Sequence, residues 1–199
     1  MLFVDRWALE CFSSIQDVGI YFALYQIGYA PALLLFTGVY YVLAPIIFEQ
    51  AGDATSSVRM KAVYRKVEFI SFATLVLAIL GSFLMWSAHD LIGSMLLGPL
   101  YAPHSFLLPW FVLTGGLFAS GTQLLLSIQS GLDLKPLLLQ RTASMVIALV
   151  CYVFGAMQFG LEGAVMGGVA FSILYLCVAF GVHLRVRRRV LLSEVASAG

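Results

Sequence analysis

The sequence predicts an all-α polytopic membrane bundle of about five transmembrane helices plus the end of a sixth, and three observations carry that prediction. Hydrophobic residues make up 61% of the chain and charged residues only 11%, with a mean hydropathy of +0.98, too little polar surface for a water-soluble domain of 199 residues. The apolar residues are gathered into long runs, each able to cross about 30 Å of hydrocarbon at about 1.5 Å per helical residue. Of the eleven Lys and Arg residues, all but Arg6 fall in or beside alternate gaps between those runs. That alternation fixes an orientation, because cytoplasmic loops retain an excess of basic residues.

Residues 1–17 read as the end of a truncated helix and an outer loop, carrying Arg6 and no other Lys or Arg. The first span, Val18 to Phe48, is longer than a perpendicular crossing needs and holds Pro31 and Pro45. Proline removes a backbone donor and crowds the preceding turn, so Gly28-Tyr29-Ala30-Pro31 is the expected kink, either a hinge at Pro31 or a static bend. A basic gap follows with Arg59, Lys61, Arg65 and Lys66. Within it, Val58 to Tyr64 reads as a short amphipathic helix capped by Asp53 or Ser56.

The second span is Val67 to Ala88. The gap after it has no Lys or Arg, and its segment Leu96 to Pro103 is apolar but broken by Gly98, Pro99 and Pro103, which predicts a stretch lying along the interface. The third span, Phe106 to Gln129, is followed by Lys135, with Arg141 just inside the fourth, Leu137 to Met157. The fifth, Leu161 to Leu184, ends in the basic tail 185–199 with Arg185, Arg187, Arg188 and Arg189. This places the N-terminus outside and the C-terminus in the cytoplasm, with the bundle spanning 18–184. The tail reads either as a stop-transfer anchor or as a contact for anionic headgroups. Membrane lipids are partners of every span, and the net charge of +1 gives no hint of nucleic acid.

Trp86, Trp110, Tyr40 and Tyr41 near span ends fit aromatic belts. Gly115-Gly116, Ala119-Ser120-Gly121, Gly163-Ala164 and Gly167-Gly168 predict close helix approach. Cys11, Cys151 and Cys177 form neither a CxxC pair nor a metal pattern and are expected to be free thiols. The chain carries no paired acids, HExxH, Ser/His/Asp set or phosphate-cradling loop, so no enzyme activity, metal or cofactor is expected.

Polar residues inside spans are costly and are therefore the functional candidates. Glu68 reads as an interfacial ion pair beside Arg65 and Lys66, or as a proton or cation site for ion coupling. Gln26 and Gln123 either join helices or line a polar cavity, and Arg141 lies within the membrane near a span end.

Asp5-Arg6-Trp7-Ala8-Leu9, Asp17-Val18-Gly19-Ile20-Tyr21 and Tyr25-Gln26-Ile27 resemble the DRxxL and VGxYxxAYxI signature of polysaccharide and O-antigen flippases, in the multidrug/oligosaccharidyl-lipid/polysaccharide (MOP) flippase superfamily. Leu97-Gly98-Pro99-Leu100-Tyr101 with Leu107-Leu108-Pro109-Trp110 resembles that family's LfGxxY and LLP stretch. Tyr152 with Phe159-Gly160-Leu161-Glu162-Gly163-Ala164 resembles its NxxLIPxxGxxGAA segment.

The resemblance implies a MATE-like C-terminal lobe, starting at the tail of the family's seventh helix, in the bacterial inner membrane. It implies a transporter that flips undecaprenyl-diphosphate-linked oligosaccharide, an O-antigen or exopolysaccharide repeat unit, by alternating access. Implied partners are the missing N-terminal lobe or a second copy, and a polysaccharide polymerase and glycosyltransferases. Asp5, Arg6, Tyr25, Gln26, Gln123 and Arg141 become gate or substrate-pathway candidates, with Asp5 and Arg6 either locked in a salt bridge at the outer gate or touching substrate. One departure is that family cavities tend to be basic, whereas these spans hold no Lys or Arg at mid-membrane. The alternatives are a cation-coupled multidrug or organic-cation exporter, which would use Glu68, and a non-transporting scaffold of polysaccharide synthesis.

Overall fold

A computed structural model describes residues 4–52, 56–130 and 134–198, and every long element in it is helical. The helices are α1 (Val4–Phe12), α2 (Ile15–Ile27), α3 (Tyr29–Ala51), α4 (Ser57–Leu96) and α5 (Leu108–Ser130), with a 3-10 turn at Ala102–Leu107 leading into α5. The last helical stretch, Leu134–Ala198, is divided by Gly160 at φ 56° and ψ −127°. We call its two arms α6 (residues 134–159) and α7 (residues 161–198).

The arms fold back on each other as an antiparallel hairpin. A Cβ on Gly155 would lie 2.1 Å from the Gly163 carbonyl oxygen, and one on Gly167 would lie 2.5 Å from that of Cys151. Only backbones without side chains pack this closely, which is the role anticipated for the small residues after Leu161. The turn itself needs Gly160, whose φ lies in a region that residues with a Cβ avoid. Five membrane-crossing segments result: α2 with α3, then α4, α5, α6 and α7. The protein is an all-α polytopic membrane bundle.

α5 is the central helix. Within its most apolar stretch 83% of the residues are buried, against 17% in the α2–α3 segment and in α4. Phe69, Phe72, Phe83 and Leu84 of α4 are each 65–72% exposed, an arrangement that water would penalise and hydrocarbon solvates. α4 meets α5 where Gly116 faces Ala78, so closely that a Cβ on Gly116 would sit 2.0 Å from that of Ala78. Nearby, the Ser71 hydroxyl donates to the Ser120 carbonyl at 3.0 Å while the Ser120 hydroxyl donates to the Ser71 carbonyl at 2.8 Å, a reciprocal clasp between two buried serines. α3 is tied to α5 by Gln123, whose amide donates to the Phe36 carbonyl at 3.2 Å.

Two elements differ from the sequence reading, while the kink falls inside the segment expected to carry it. The α2–α3 interruption falls at Gly28, whose N–H still bonds the Leu24 carbonyl, and Pro31 sits in the first turn of α3 where a missing donor costs little. Gly28 is packed, since a Cβ there would meet the Phe111 Cβ at 2.7 Å. Val58 to Tyr64 is no separate amphipathic helix but the opening turns of α4, which continues unbroken through 40 residues. Ser56 occupies the N-cap position without a side-chain capping bond, and Asp53 lies outside the described residues. At its other end α4 runs past Ala88, the expected end of the second span, to Leu96, and the expected broken stretch follows as residues 97–101 and the 3-10 turn.

Two clusters of buried side chains mark the bundle's ends. One joins Ile47, Met60, Tyr64, Leu125, Tyr175 and Val186; the other joins Leu9, Tyr21, Leu24, Leu108, Phe111 and Val165. The basic residues opening α4, opening α6 and late in α7 all lie at the first, which we call the basic end.

Candidate functional site

A polar groove runs along one side of α5, between α3 and α6, with α7 as its floor. Thr37, Tyr40 and Tyr41 come from α3, Thr122 and Gln129 from α5, Gln140, Arg141 and Ser144 from α6 and Tyr175 from α7, around a volume of about 380 Å3. Tyr40, Thr37 and Tyr41 share the face of α3 because they recur at helical spacing, as do Gln140, Arg141 and Ser144 on α6. Tyr41 is 73% exposed and Met145 70%, so the two lips of the groove face outward rather than closing on each other.

Its walls are held in place by hydrogen bonds. Tyr40 donates to the Gln129 side chain at 2.9 Å, the Gln140 amide donates to Ser144 at 3.1 Å, and the hydroxyls of Thr122 and Tyr175 lie 3.2 Å apart. The Gln140 side-chain oxygen is buried without a partner, an acceptor in the groove wall that a bound hydroxyl or water would satisfy.

Towards the far end lies a smaller cavity of about 140 Å3, lined by Asp5, Tyr25, Tyr29, Leu33, Phe118, Tyr152, Phe171 and Ser172. Phe118 borders both spaces, and its ring stacks on Tyr175 with centroids 4.6 Å apart. Asp5, only 4% exposed, accepts a hydrogen bond from the Arg6 backbone N–H at 2.9 Å. Tyr25 and Tyr29 stack at 4.6 Å, and the buried Ser172 hydroxyl has no partner. Groove and cavity are separate spaces that share Phe118 as a common wall.

The structure distributes the sequence candidates as follows. Asp5 and Tyr25 line the cavity, and Arg141 lines the groove. Arg6 stands beside Asp5 with its guanidinium 4.3 Å from the centre of the Phe22 ring and 5.7 Å from that of Tyr25. Gln123 is buried as the tie to Phe36 and lines neither space, and Gln26 is exposed on the outer surface of α2. Pro31 is exposed at the start of α3.

Glu68 is an ion pair, but not with its neighbours Arg65 and Lys66. One carboxylate oxygen meets Arg187 at 2.6 Å and the His183 ring at 2.8 Å, both on α7. His183 is fully buried, its other ring nitrogen is 2.7 Å from the Ser127 hydroxyl, and its ring meets Tyr64 edge-on. This network joins α4, α5 and α7 at the basic end, away from the groove.

Sequence reasoning missed Thr37, Thr122, Ser144 and Tyr175, named Tyr152 only within the family resemblance, and read Tyr40 and Tyr41 as belt residues. Their signal was present only as polar residues at one-turn spacing within spans, and nothing in a single helix says which face meets another. The cysteines are free, and no cluster of metal-ligating side chains occurs among the described residues. The chain matches no known family model, no curated protein and no solved structure. Fold and site therefore define it as a polytopic membrane protein with a groove between α3 and α6 and a smaller cavity beyond Phe118.

Proposed function

We propose that the protein is a lobe of a membrane transporter that flips a diphosphate-linked oligosaccharide lipid across a bacterial inner membrane by alternating access. The observation that carries this reading is the groove: hydroxyl, amide and aromatic groups in the hydrocarbon zone, open along its side. Polar side chains are expensive there unless they meet one another, water or a polar ligand. Tyrosine faces and hydroxyls suit sugar rings, and Arg141 at the basic end suits a phosphate through charge-assisted hydrogen bonds. The open side between α3 and α6 leaves the lipid tail in the bilayer while the headgroup travels inside. A second bundle, an N-terminal lobe or another copy, forms the facing wall.

In this reading the basic end faces the cytoplasm, where the positive-inside rule puts it. A cation-coupled exporter would draw on Glu68, which is bound to Arg187 and His183 outside the groove. The test is expression in a bacterial strain lacking its own flippase, with surface polysaccharide as readout. Restoration that fails when Arg141 and Tyr175 are both replaced by alanine supports the reading. Failure of the properly inserted parent protein, expressed together with its facing bundle, to restore any polysaccharide across strains with different repeat units overturns it.

A further inference from the structure

A second cleft lies on another flank of α3, between the basic-end halves of α3 and α4. Its volume is about 640 Å3, and its walls are Leu43, Ile46 and Ile47 from α3 with Phe69 and Ile70 from α4. At its end, Lys61, Arg65 and Lys66 belong to the same wall, and Ile46, Ala62 and Lys66 continue into a polar recess holding Arg59, Glu49 and Gln50. Lys66 donates to the Gln50 side chain at 2.8 Å, which fixes its ammonium at the junction of the two parts. The four basic residues are exposed, and Glu49 is the one acid among the described residues that line the recess.

We propose that this cleft binds one anionic glycerophospholipid, with an acyl chain along Ile46, Phe69 and Ile70 and the phosphate held by Arg65, Lys66 and Arg59. The apolar part faces hydrocarbon and the basic part emerges at headgroup depth, so one amphiphile satisfies both. A neutral lipid would fill the apolar part but bring no net negative charge to Arg59, Arg65 and Lys66. Basic pockets between helices at this depth select anionic headgroups by that complementarity. Glu49 and Gln50 add acceptors for a hydroxyl-bearing headgroup such as glycerol.

In a protein with Trp7, Trp86 and Trp110 replaced by phenylalanine, the experiment uses Phe69→Trp in vesicles of phosphatidylglycerol and phosphatidylcholine, one of the two carrying brominated chains, and reads the quenching of the added tryptophan. Phe83→Trp is the control: it is as exposed as Phe69 at 72%, and 14 residues along the same helix it lies on nearly the same face, about 20 Å away. The expected result is a preference for phosphatidylglycerol at Phe69→Trp of roughly fivefold or more, the size of one engaged basic residue. Phe83→Trp should show no preference, and Arg65→Gln with Lys66→Gln should abolish the preference at residue 69. Equal quenching by both lipids at residue 69 would mean ordinary solvation and overturn the proposal. So would a preference that the double substitution leaves unchanged, or the same preference at residue 83. Shielding of residue 69 from both lipids would mean that protein fills the cleft and would likewise overturn it.

Discussion

Replacing Gly116 by alanine should split the α4–α5 interface, and replacing Ala78 by glycine should largely repair it. The added Cβ would lie 2.0 Å from the Ala78 Cβ and 3.2 Å from its Cα. Ordinary carbon contacts need about 3.5–4.0 Å, so the helices must part by roughly 1.5–2 Å. The Ser71 and Ser120 bonds, at 2.8–3.0 Å, would then stretch beyond hydrogen-bonding range. Overpacking costs about 1–3 kcal/mol and each lost hydrogen bond about 1 kcal/mol, which gives a destabilisation of about 2–4 kcal/mol for Gly116→Ala. Ala78→Gly alone removes one buried methyl group and costs about 1 kcal/mol. In the double variant the closest clash is gone, so its loss should be smaller than the sum of the singles by at least about 1.5 kcal/mol. Equilibrium unfolding in mixed micelles, followed by circular dichroism, gives these numbers. A Gly116→Ala protein within about 0.5 kcal/mol of the parent, or strictly additive losses, would refute the packing argument.

Other expectations follow from the hairpin, the buried histidine and the groove. Gly160→Ala puts a Cβ at φ 56°, ψ −127°, and should cost about 1–3 kcal/mol in the same unfolding assay. His183→Ala removes the bridge between Ser127 and Glu68 and should cost about 1.5–3 kcal/mol, while Arg187→Ala, at an arginine 43% exposed, should cost no more than about 1 kcal/mol. Reversal of that order in thermal unfolding would show the histidine to be incidental. Arg141→Gln should slow flipping of a diphosphate-linked substrate in proteoliposomes by about tenfold, the loss of one charge-assisted hydrogen bond, and leave thermal unfolding unchanged.

Much of the fold was legible in the sequence because membrane insertion is governed by rules that act locally. Run length marked the spans, and the glycine pairs marked the close approaches that the structure places at Gly116 and along the α6–α7 hairpin. The chain break between residues 157 and 161 was visible although it contains no proline or acidic residue, since Lys135 and the arginines of the tail require two crossings between them. The length of α4 was not legible, because the polar turns from Ser57 to Lys66 and from His89 to Leu96 continue a helix whose apolar run ends before them. Glu68 illustrates a different limit. Its neighbours Arg65 and Lys66 were the visible partners, but the helix points its carboxylate at residues more than a hundred positions away. The groove was the least legible feature: Arg141 and the intramembrane glutamines signalled it, yet Gln123 turned inward as a tie and Gln26 outward. Tyr175 and Thr122 joined it only through the packing of three helices.

The central claim is that the face between α3 and α6 is a wetted path and not a lipid-covered surface. In a protein with Cys11, Cys151 and Cys177 replaced by alanine, single cysteines at Thr37 and Thr122 should be tested with a charged, membrane-impermeant thiosulfonate. Leu77, which is 57% exposed on α4, provides the lipid-facing comparison. Thiols react as thiolates, which form only where water reaches them, so Thr37→Cys and Thr122→Cys should be modified at least about tenfold faster than Leu77→Cys. Rates at both groove positions no faster than at Leu77→Cys would contradict the account.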